Sequence, residues 1–456
     1  MIRIFRHYLP KGLVLLGLSE VFVLAGALYV GARLRSGDLT PESLTKAGVF
    51  IGVMLVVMTA FGLYQRDLKE GQWGYFPRLI VSLSLGFLVF CGLVAFAPSL
   101  VVPLPALAYA VLVALCGTML TRLIYIAIVQ RAATARHVLV LGTGRRARSL
   151  QVLAQGSGGR GGFRILGFVP CSEREERDGP QVLRDPRPLA AIARDYGVRE
   201  IVVGSRDRRL TLPVHELLEC KLSGLRVMDL TTFFERESGR IELESLNASW
   251  LVFGDGFQQG VWKTRVKRLF DVAASLTLLA LCAPLMAVAA VLVKLEDGGP
   301  VLYRQERVGQ DGQVFRLLKF RSMRVDAEED GRPQWARVND DRATRIGRIL
   351  RKARIDELPQ AVNVLRGDMS FVGPRPERPF FVAQLRETVP YYHYRHVMKP
   401  GITGWAQVRY PYGASLQDAI EKLKYDLYYI KNHSLFLDII ILFQTLQVLI
   451  FQDGAR

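Results

Sequence analysis

Apolar positions in this chain are heaped into long runs instead of recurring at helical or strand period. Four runs fill the first third, at residues 13–30, 47–63, 79–97 and 99–121. Crossing the hydrocarbon core of a bilayer takes about 20 apolar residues, so the pattern predicts four transmembrane helices, the second being the shortest. A fifth run, residues 272–293, would form a helix of roughly 33 Å at about 1.5 Å per residue. Pro284 stands at its middle, where a helix loses a hydrogen bond and kinks. Between the fourth and fifth runs the pattern changes. Short apolar strands are expected at residues 137–141, 165–169 and 200–203, with helices from near Arg146 and around residues 188–196. Alternating strand and helix argues a parallel, doubly wound sheet.

Charge orients these elements. Arg3, Arg6 and Lys11 precede the first run, Arg66, Lys69 and Arg78 follow the second, and Arg122, Arg131 and Arg136 follow the fourth. The connection at residues 98–105 is uncharged, whereas the first loop holds Arg33, Arg35 and Lys46. Positive loops favour the cytoplasm, so an inside N-terminus with four crossings is expected. No small-residue cleavage site precedes Arg33–Leu34–Arg35, and a cleaved signal peptide is not expected. The fifth run has basic flanks on both sides, Lys263, Arg265, Lys267 and Arg268 before it and Lys294, Arg304 and Arg307 after it. A broken helix entering and leaving by one face fits both the flanks and Pro284. An ordinary kinked crossing is the alternative.

In the middle segment, Gly142–Thr143–Gly144 with Ala147 forms G-x-G-x-x-A, a turn that can bring a helix N-terminus to a phosphate. A working dinucleotide site also wants an acidic residue closing the second strand. None appears until Glu173, so the motif by itself favours a fold-only or regulatory domain. Five scattered cysteines give no C-x-x-C and no disulfide framework, and the six histidines give no metal-protease pattern.

The net charge of +18 on 456 residues admits nucleic acid, anionic lipid or phosphorylated substrates as partners. Half of that excess lies in residues 262–456, where 30 Lys and Arg face 21 Asp and Glu. Neither interleaved aromatics nor a recognition helix accompanies the arginines, which excludes the nucleic-acid reading. A guanidinium fork suits phosphate oxygens. Arg345, Arg348 and Arg351 predict a basic-faced helix whose apolar stripe is Ile346, Ile349, Leu350 and Ala353. Next comes Ile355–Asp356–Glu357–Leu358–Pro359–Gln360. Proline is tolerated only in a helix's first turn, so a new helix is expected to start near Asp356, holding that carboxylate ionised at its positive end. Such an Asp can cap a helix, bind a metal or attack phosphorus. Pro374 and Pro376 stiffen the backbone around Arg375, which then loses little freedom on gripping a phosphate.

Six motifs now stand in order: Lys267–Arg268–x–x–Asp271, Arg304–Gln305–Glu306–Arg307–Val308–Gly309, Lys319–Phe320–Arg321–Ser322–Met323, Asp356–Glu357–Leu358–Pro359–Gln360, Gly373–Pro374–Arg375–Pro376 and Pro400–Gly401–Ile402–Thr403–Gly404–Trp405. Together with the Pro-broken helix they resemble the bacterial sugar transferases, the monotopic phosphoglycosyl transferases. The preceding architecture is similar to the large form, including its exopolysaccharide branch. The resemblance implies a four-helix transmembrane domain at 1–131, a Rossmann-like cytoplasmic domain at 136–250 and an α+β catalytic domain at 262–456 with a re-entrant helix at 267–294. It implies transfer of a sugar 1-phosphate from a UDP-sugar to undecaprenyl phosphate with release of UMP, starting exopolysaccharide or O-antigen type assembly at the cytoplasmic face of the bacterial inner membrane. Asp356 would be the nucleophile and Mg²⁺ ligand, with Glu357 assisting it. Arg375, Arg351, Lys319 and Arg321 would bind phosphate or nucleotide. Lys267, Arg268, Asp271 and Pro284 would anchor the membrane helix, although Ala283 stands where the family usually has Ser. Membrane lipids and a homodimer are the further partners implied. A glycosyltransferase releasing UDP and a non-catalytic nucleotide sensor stay open as alternatives, and no residue names the sugar. The apolar stretch 435–451, interrupted by Asp438 and Gln444, is expected to lie on or against the membrane.

Overall fold

The computed structural model describes residues 1–36, 41–64, 75–131, 136–156, 163–171, 181–183, 185–204, 212–246, 256–257, 260–324, 327, 341–411, 413 and 415–451. Arg66, Lys69 and Glu173, invoked above, lie outside these residues. The chain divides into two compact units, residues 1–4 with 8–246 and residues 5–7 with 247–456.

The first unit opens with helices α1 (Lys11–Ser36), α2 (Pro41–Ala60), α3 (Tyr75–Phe96) and α4 (Leu104–Arg131). The fourth begins later than its apolar run because Pro98 and Pro103 break the backbone first, leaving a 3₁₀ turn at Pro98–Leu100. α1 packs along α4 and α2 along α3. In α3 and α4, Phe76–Phe96 and Leu107–Ala127 are long and apolar enough to cross a membrane, whereas Thr45–Ala60 in α2 is apolar but shorter. α1 carries Glu20, fully buried against Arg122 of α4, with Nε and Oε1 2.8 Å apart. The Tyr64 hydroxyl also donates to Glu20, and Arg122 donates to the Leu63 carbonyl at 3.1 Å.

The same unit contains a four-stranded, all-parallel sheet. Its strands are β1 (Arg136–Leu141), β2 (Phe163–Val169), β3 (Val198–Val203) and β4 (Arg226–Asp229), in the order β2-β1-β3-β4. The strand period of two sorts its apolar side chains onto opposite faces. Val138, Val140, Phe163, Ile165 and Val202 pack with α5 (Arg145–Gly156) and α8 (Leu230–Ser238). Leu139, Leu141, Ile201 and Val203 pack with α6 (Leu189–Asp195) and α7 (Val214–Leu222). Helices on both faces make this a doubly wound domain, as the pattern predicted. Gly204 lets β3 approach α5: a Cβ there would sit 3.0 Å from that of Ala147.

The second unit is organised around one helix, α9 (Val261–Asp297), of 37 residues. It is helical throughout, with Pro284 inside. Behind it come the hairpin β5 (Leu302–Val308) and β6 (Val314–Phe320), then α10 (Arg345–Lys352), a 3₁₀ turn at Ile355–Glu357, and α11 (Gln360–Arg366). Two three-residue strands, β7 (Ser370–Val372) and β8 (Gly401–Thr403), pair in parallel. They are set among α12 (Pro379–Thr388), α13 (Trp405–Arg409), α14 (Leu416–Asn432) and α15 (Leu435–Phe451). Within this unit His7 is buried beside Trp405, its Nδ1 2.8 Å from the Tyr428 hydroxyl.

Both ends of α9 are tied to this unit. Near its start, Arg268 donates to the carbonyls of Val364 and Leu365 at 2.5 and 2.7 Å, closing the C-terminus of α11. Asp271 accepts from the Ser370 hydroxyl and the Phe371 amide, both at 3.0 Å. Lys267 reaches Asp438 of α15 at 2.8 Å. At the far end, Ala289 and Val293 enter a core with Phe320 and Leu350, and Arg321 bonds Asp297 at 2.7 Å. Between these ties the helix exposes Leu276, Leu281, Leu285 and Val288. α15 exposes apolar residues too: Asp438, Gln444 and Gln447 are buried with Leu437 and Ile441, whereas Ile439, Leu446, Leu449 and Ile450 are exposed. Outward apolar faces, with the polar side chains kept inside, suit helices that contact a bilayer. The chain is a membrane protein with an α/β domain.

Candidate active site

The site forms where α10 gives way to α11. Arg354, in the left-handed conformation (φ 57°), ends the α10 segment and turns the chain into the 3₁₀ turn that carries Asp356 and Glu357. Pro359 caps α11, which starts at Gln360. The helix therefore begins four residues later than expected, and Asp356 occupies a separate turn ahead of it.

That turn gives adjacent carboxylates different surroundings. Glu357 Oε1 receives Lys319 Nζ at 2.9 Å and Arg375 Nη2 at 3.0 Å, with Arg354 at 3.9 Å. Burial alone would raise its pKa, but these three cations overturn that and hold the carboxyl well below the usual range. Asp356 is 7% exposed, and its Oδ1 is buried without a hydrogen-bond partner. Burial pushes this carboxyl up to about 6, opposed by Lys319 and reinforced by the neighbouring Glu357. The expected cause is thus corrected: no helix terminus holds Asp356 down, and burial raises its carboxyl to about 6, which still leaves it chiefly ionised at neutral pH. Lys319 and Arg375 bond Glu357, and Asp356 keeps an unused oxygen.

Lys319 comes from β6, with burial lowering its ammonium's pKa and Glu357 pulling it up. Arg351 acts on Asp356 through charge from the last turn of α10. In that helix Leu350 is buried and Ile346 packs beside it, but Ile349 is 62% exposed. Arg375 stands on the loop after β7. Gly373 donates to the Thr403 carbonyl and Gly401 donates to the Pro374 carbonyl, both at 2.9 Å. A Cβ on either glycine would strike the other segment's backbone, so two of the sequence motifs are one back-to-back structure. Arg321 is occupied elsewhere, by Asp297 and the Val293 carbonyl. Lys267, Arg268 and Asp271 hold the start of α9, as described, and Pro284 lies on its exposed stretch. Sequence reasoning passed over Arg354 and Arg395 as site neighbours. Arg395 sits in an aromatic-rich stretch without period, and its partner Asp426 is 31 residues away.

A carboxylate with a free oxygen, beside one already held by cations and among Lys and Arg, is equipped for chemistry on a phosphorylated substrate. The class is therefore a membrane protein with a buried carboxylate set among Lys and Arg. The bacterial sugar transferase family matches residues 262–452, which contain the whole site. Among similar proteins is the UDP-N-acetylgalactosamine-undecaprenyl-phosphate N-acetylgalactosaminephosphotransferase of Aeromonas hydrophila, 43% identical over 53% of this chain and 56% of its own length. The UDP-glucose:undecaprenyl-phosphate glucose-1-phosphate transferase of Caulobacter vibrioides is 45% identical over 41% of this chain and 71% of its own length. The exopolysaccharide production protein PSS of Rhizobium leguminosarum bv. phaseoli is 44% identical over 40% of this chain and 92% of its own length. The chain belongs to the bacterial sugar transferases. It spans about half the length of the Aeromonas relative.

Proposed function

We propose that the chain transfers a sugar 1-phosphate from a UDP-sugar to undecaprenyl phosphate and releases UMP, beginning a lipid-linked exopolysaccharide or O-antigen type glycan. The observation that carries this reading is the unsatisfied Asp356 Oδ1 beside a Glu357 whose Oε1 is held by Lys319 and Arg375. Asp356 attacks the phosphorus that bears the sugar, the bond to the bridging oxygen breaks, and UMP leaves with that oxygen. The acceptor's phosphate oxygen then attacks the same phosphorus, and the Asp356 carboxylate is regenerated. Dividing the transfer lets a soluble donor and a membrane acceptor visit the site in turn. Arg375 and Arg351 hold phosphate oxygens, and Lys319 keeps Glu357 charged and in place.

Mg²⁺ fits the residues present. It binds through one or two carboxylates plus substrate phosphates, and the unpartnered Asp356 Oδ1 would supply one such oxygen. When bound, the ion neutralises charge developing on phosphoryl oxygens. The ties at both ends of α9 to one unit support a re-entrant course for that helix. The basic flanks support a cytoplasmic catalytic face, with α1–α4 as a multi-pass anchor in the bacterial inner membrane. Association as a homodimer belongs to the same proposal.

The test is purified protein with Mg²⁺, undecaprenyl phosphate and a panel of UDP-sugars, reading UMP against UDP. UMP from one sugar, together with a sugar-phosphate mass increment on Asp356 when acceptor is withheld, is expected. UDP release overturns the reading in favour of simple glycosyl transfer.

A further inference from the structure

The loop carrying Arg375 is short of backbone donors, because Pro374 and Pro376 have no amide hydrogen. Its carbonyls are held instead. Arg395 Nη2 donates to the Arg375 carbonyl at 2.9 Å, and Arg307 Nη1 donates to the Pro376 carbonyl at 2.9 Å. Two guanidiniums from separate elements, β5 and the 3₁₀ segment Tyr392–Val397, thus take consecutive carbonyls.

Arg395 is the more enclosed, at 6% exposure. Its Nε donates to Asp426 Oδ2 at 3.1 Å, its Nη1 donates to the Tyr392 hydroxyl at 2.7 Å, and Nη2 also lies 2.8 Å from Asp426. Asp426 projects from α14 and is 2% exposed. A small cavity beside them is lined by Glu377, Tyr392, Arg395, Ser415 and Lys422. Serving three acceptors in fixed directions needs the planar five-hydrogen fork of arginine, which an ammonium does not have. None of the Arg395 hydrogen bonds among the described residues goes to Asp356 or Glu357.

We propose that Arg395, aligned by Asp426 and Tyr392, is a positioning residue that fixes the Arg375 backbone so that the Arg375 guanidinium stays on Glu357 and faces the donor diphosphate. The role rests on the function proposed above. Arg395 acts wholly through Arg375, which makes the effects of the two residues non-additive.

The experiment is a double-mutant cycle on the full chain in nanodiscs. Arg395→Lys keeps a cation for Asp426 but loses the fork, and about a tenfold fall in kcat/KM for the UDP-sugar is expected. Tyr392→Phe removes one hydroxyl from the cluster and should cost about two- to threefold. In an Arg375→Ala background neither change should lower kcat/KM further. Wild-type activity in Arg395→Lys overturns the proposal, and so do losses that multiply in the Arg375→Ala background. If Arg395→Lys lowers the unfolding midpoint, the Tyr392→Phe cycle decides. A second readout does not need turnover: the Arg375 Nε–H resonance should shift or broaden in Arg395→Lys, and an unmoved resonance overturns the role. A wild-type chain that releases no UMP counts against the proposed reaction alone, since the resonance still reports on Arg395.

Discussion

Two buried glutamates in this molecule look alike and differ in what stands next to them. In the parallel-sheet domain Glu200 is 1% exposed and enclosed by Arg236 at 2.5 and 3.1 Å, Arg136 at 3.2 Å and Arg226 at 3.6 Å. In the catalytic unit Glu357 is enclosed by Lys319, Arg375 and Arg354. Around Glu200 the arginines bond back to Glu237 as well, so both carboxylates are gripped by guanidiniums. Beside Glu357 lies Asp356, whose buried Oδ1 accepts no hydrogen bond. Carboxylates gripped by their own cations hold structure together. A carboxylate set beside such a pair without a cation of its own is a place for a ligand.

The sharpest way to break this comparison is Asp356→Asn. We expect UMP release to fall by about a thousandfold or more, a barrier rise of about 4 kcal/mol, with the unfolding midpoint nearly unchanged because Oδ1 gives up no hydrogen bond. Glu200→Gln should do the opposite. Removing one member of a buried ion cluster costs about 3–5 kcal/mol, visible in chemical denaturation, while turnover per folded molecule stays at the wild-type value. If Glu200→Gln instead abolished turnover in folded protein, the sheet domain would be more than a scaffold.

Lys319→Met sharpens the contrast on the catalytic side. It strips Glu357 of one cation and Asp356 of an attraction, and about a 10- to 100-fold loss of kcat/KM is expected. Its pH profile carries the sign. In the proposed reaction Asp356 acts as the carboxylate, and burial pushes its pKa up to about 6, so activity should fall as pH drops through that value. Lys319 favours the ionised form, so its removal should move this acid limb to higher pH. The smallest effect belongs to Asp438→Asn, which keeps the shape but weakens the bond to Lys267. A loss of about 1–3 kcal/mol in stability is expected, with the acid limb of the pH profile unmoved.

The sequence made the local chemistry visible. The Asp–Glu pair, the proline-flanked Arg375 and the alternating strands were all readable, because each depends on neighbours or on a short period. The surroundings were not. Arg321 is taken by Asp297, 24 residues earlier, and Asp438 faces Lys267, 171 residues earlier. The resemblance implied a phosphate ligand for Arg321, and Asp438 was read from its own segment as an interruption in a membrane stretch. The rise of the Asp356 pKa to about 6 was hidden for the same reason. It comes from burial, and the cations that bond Glu357, Lys319 and Arg375, lie 38 and 18 residues away in sequence.

The ties at both ends of α9 bear on how the protein sits in bilayers of different thickness. An ordinary membrane helix relieves a mismatch with the hydrocarbon thickness by tilting on its own. α9 is denied that freedom, since Arg268 and Asp271 fasten one end and Asp297 and Val293 the other to the same body. On the re-entrant course proposed above, a thinner or thicker membrane would therefore raise, lower or tip this whole unit, and acyl-chain length would become a control on the height of Asp356 relative to the lipid surface.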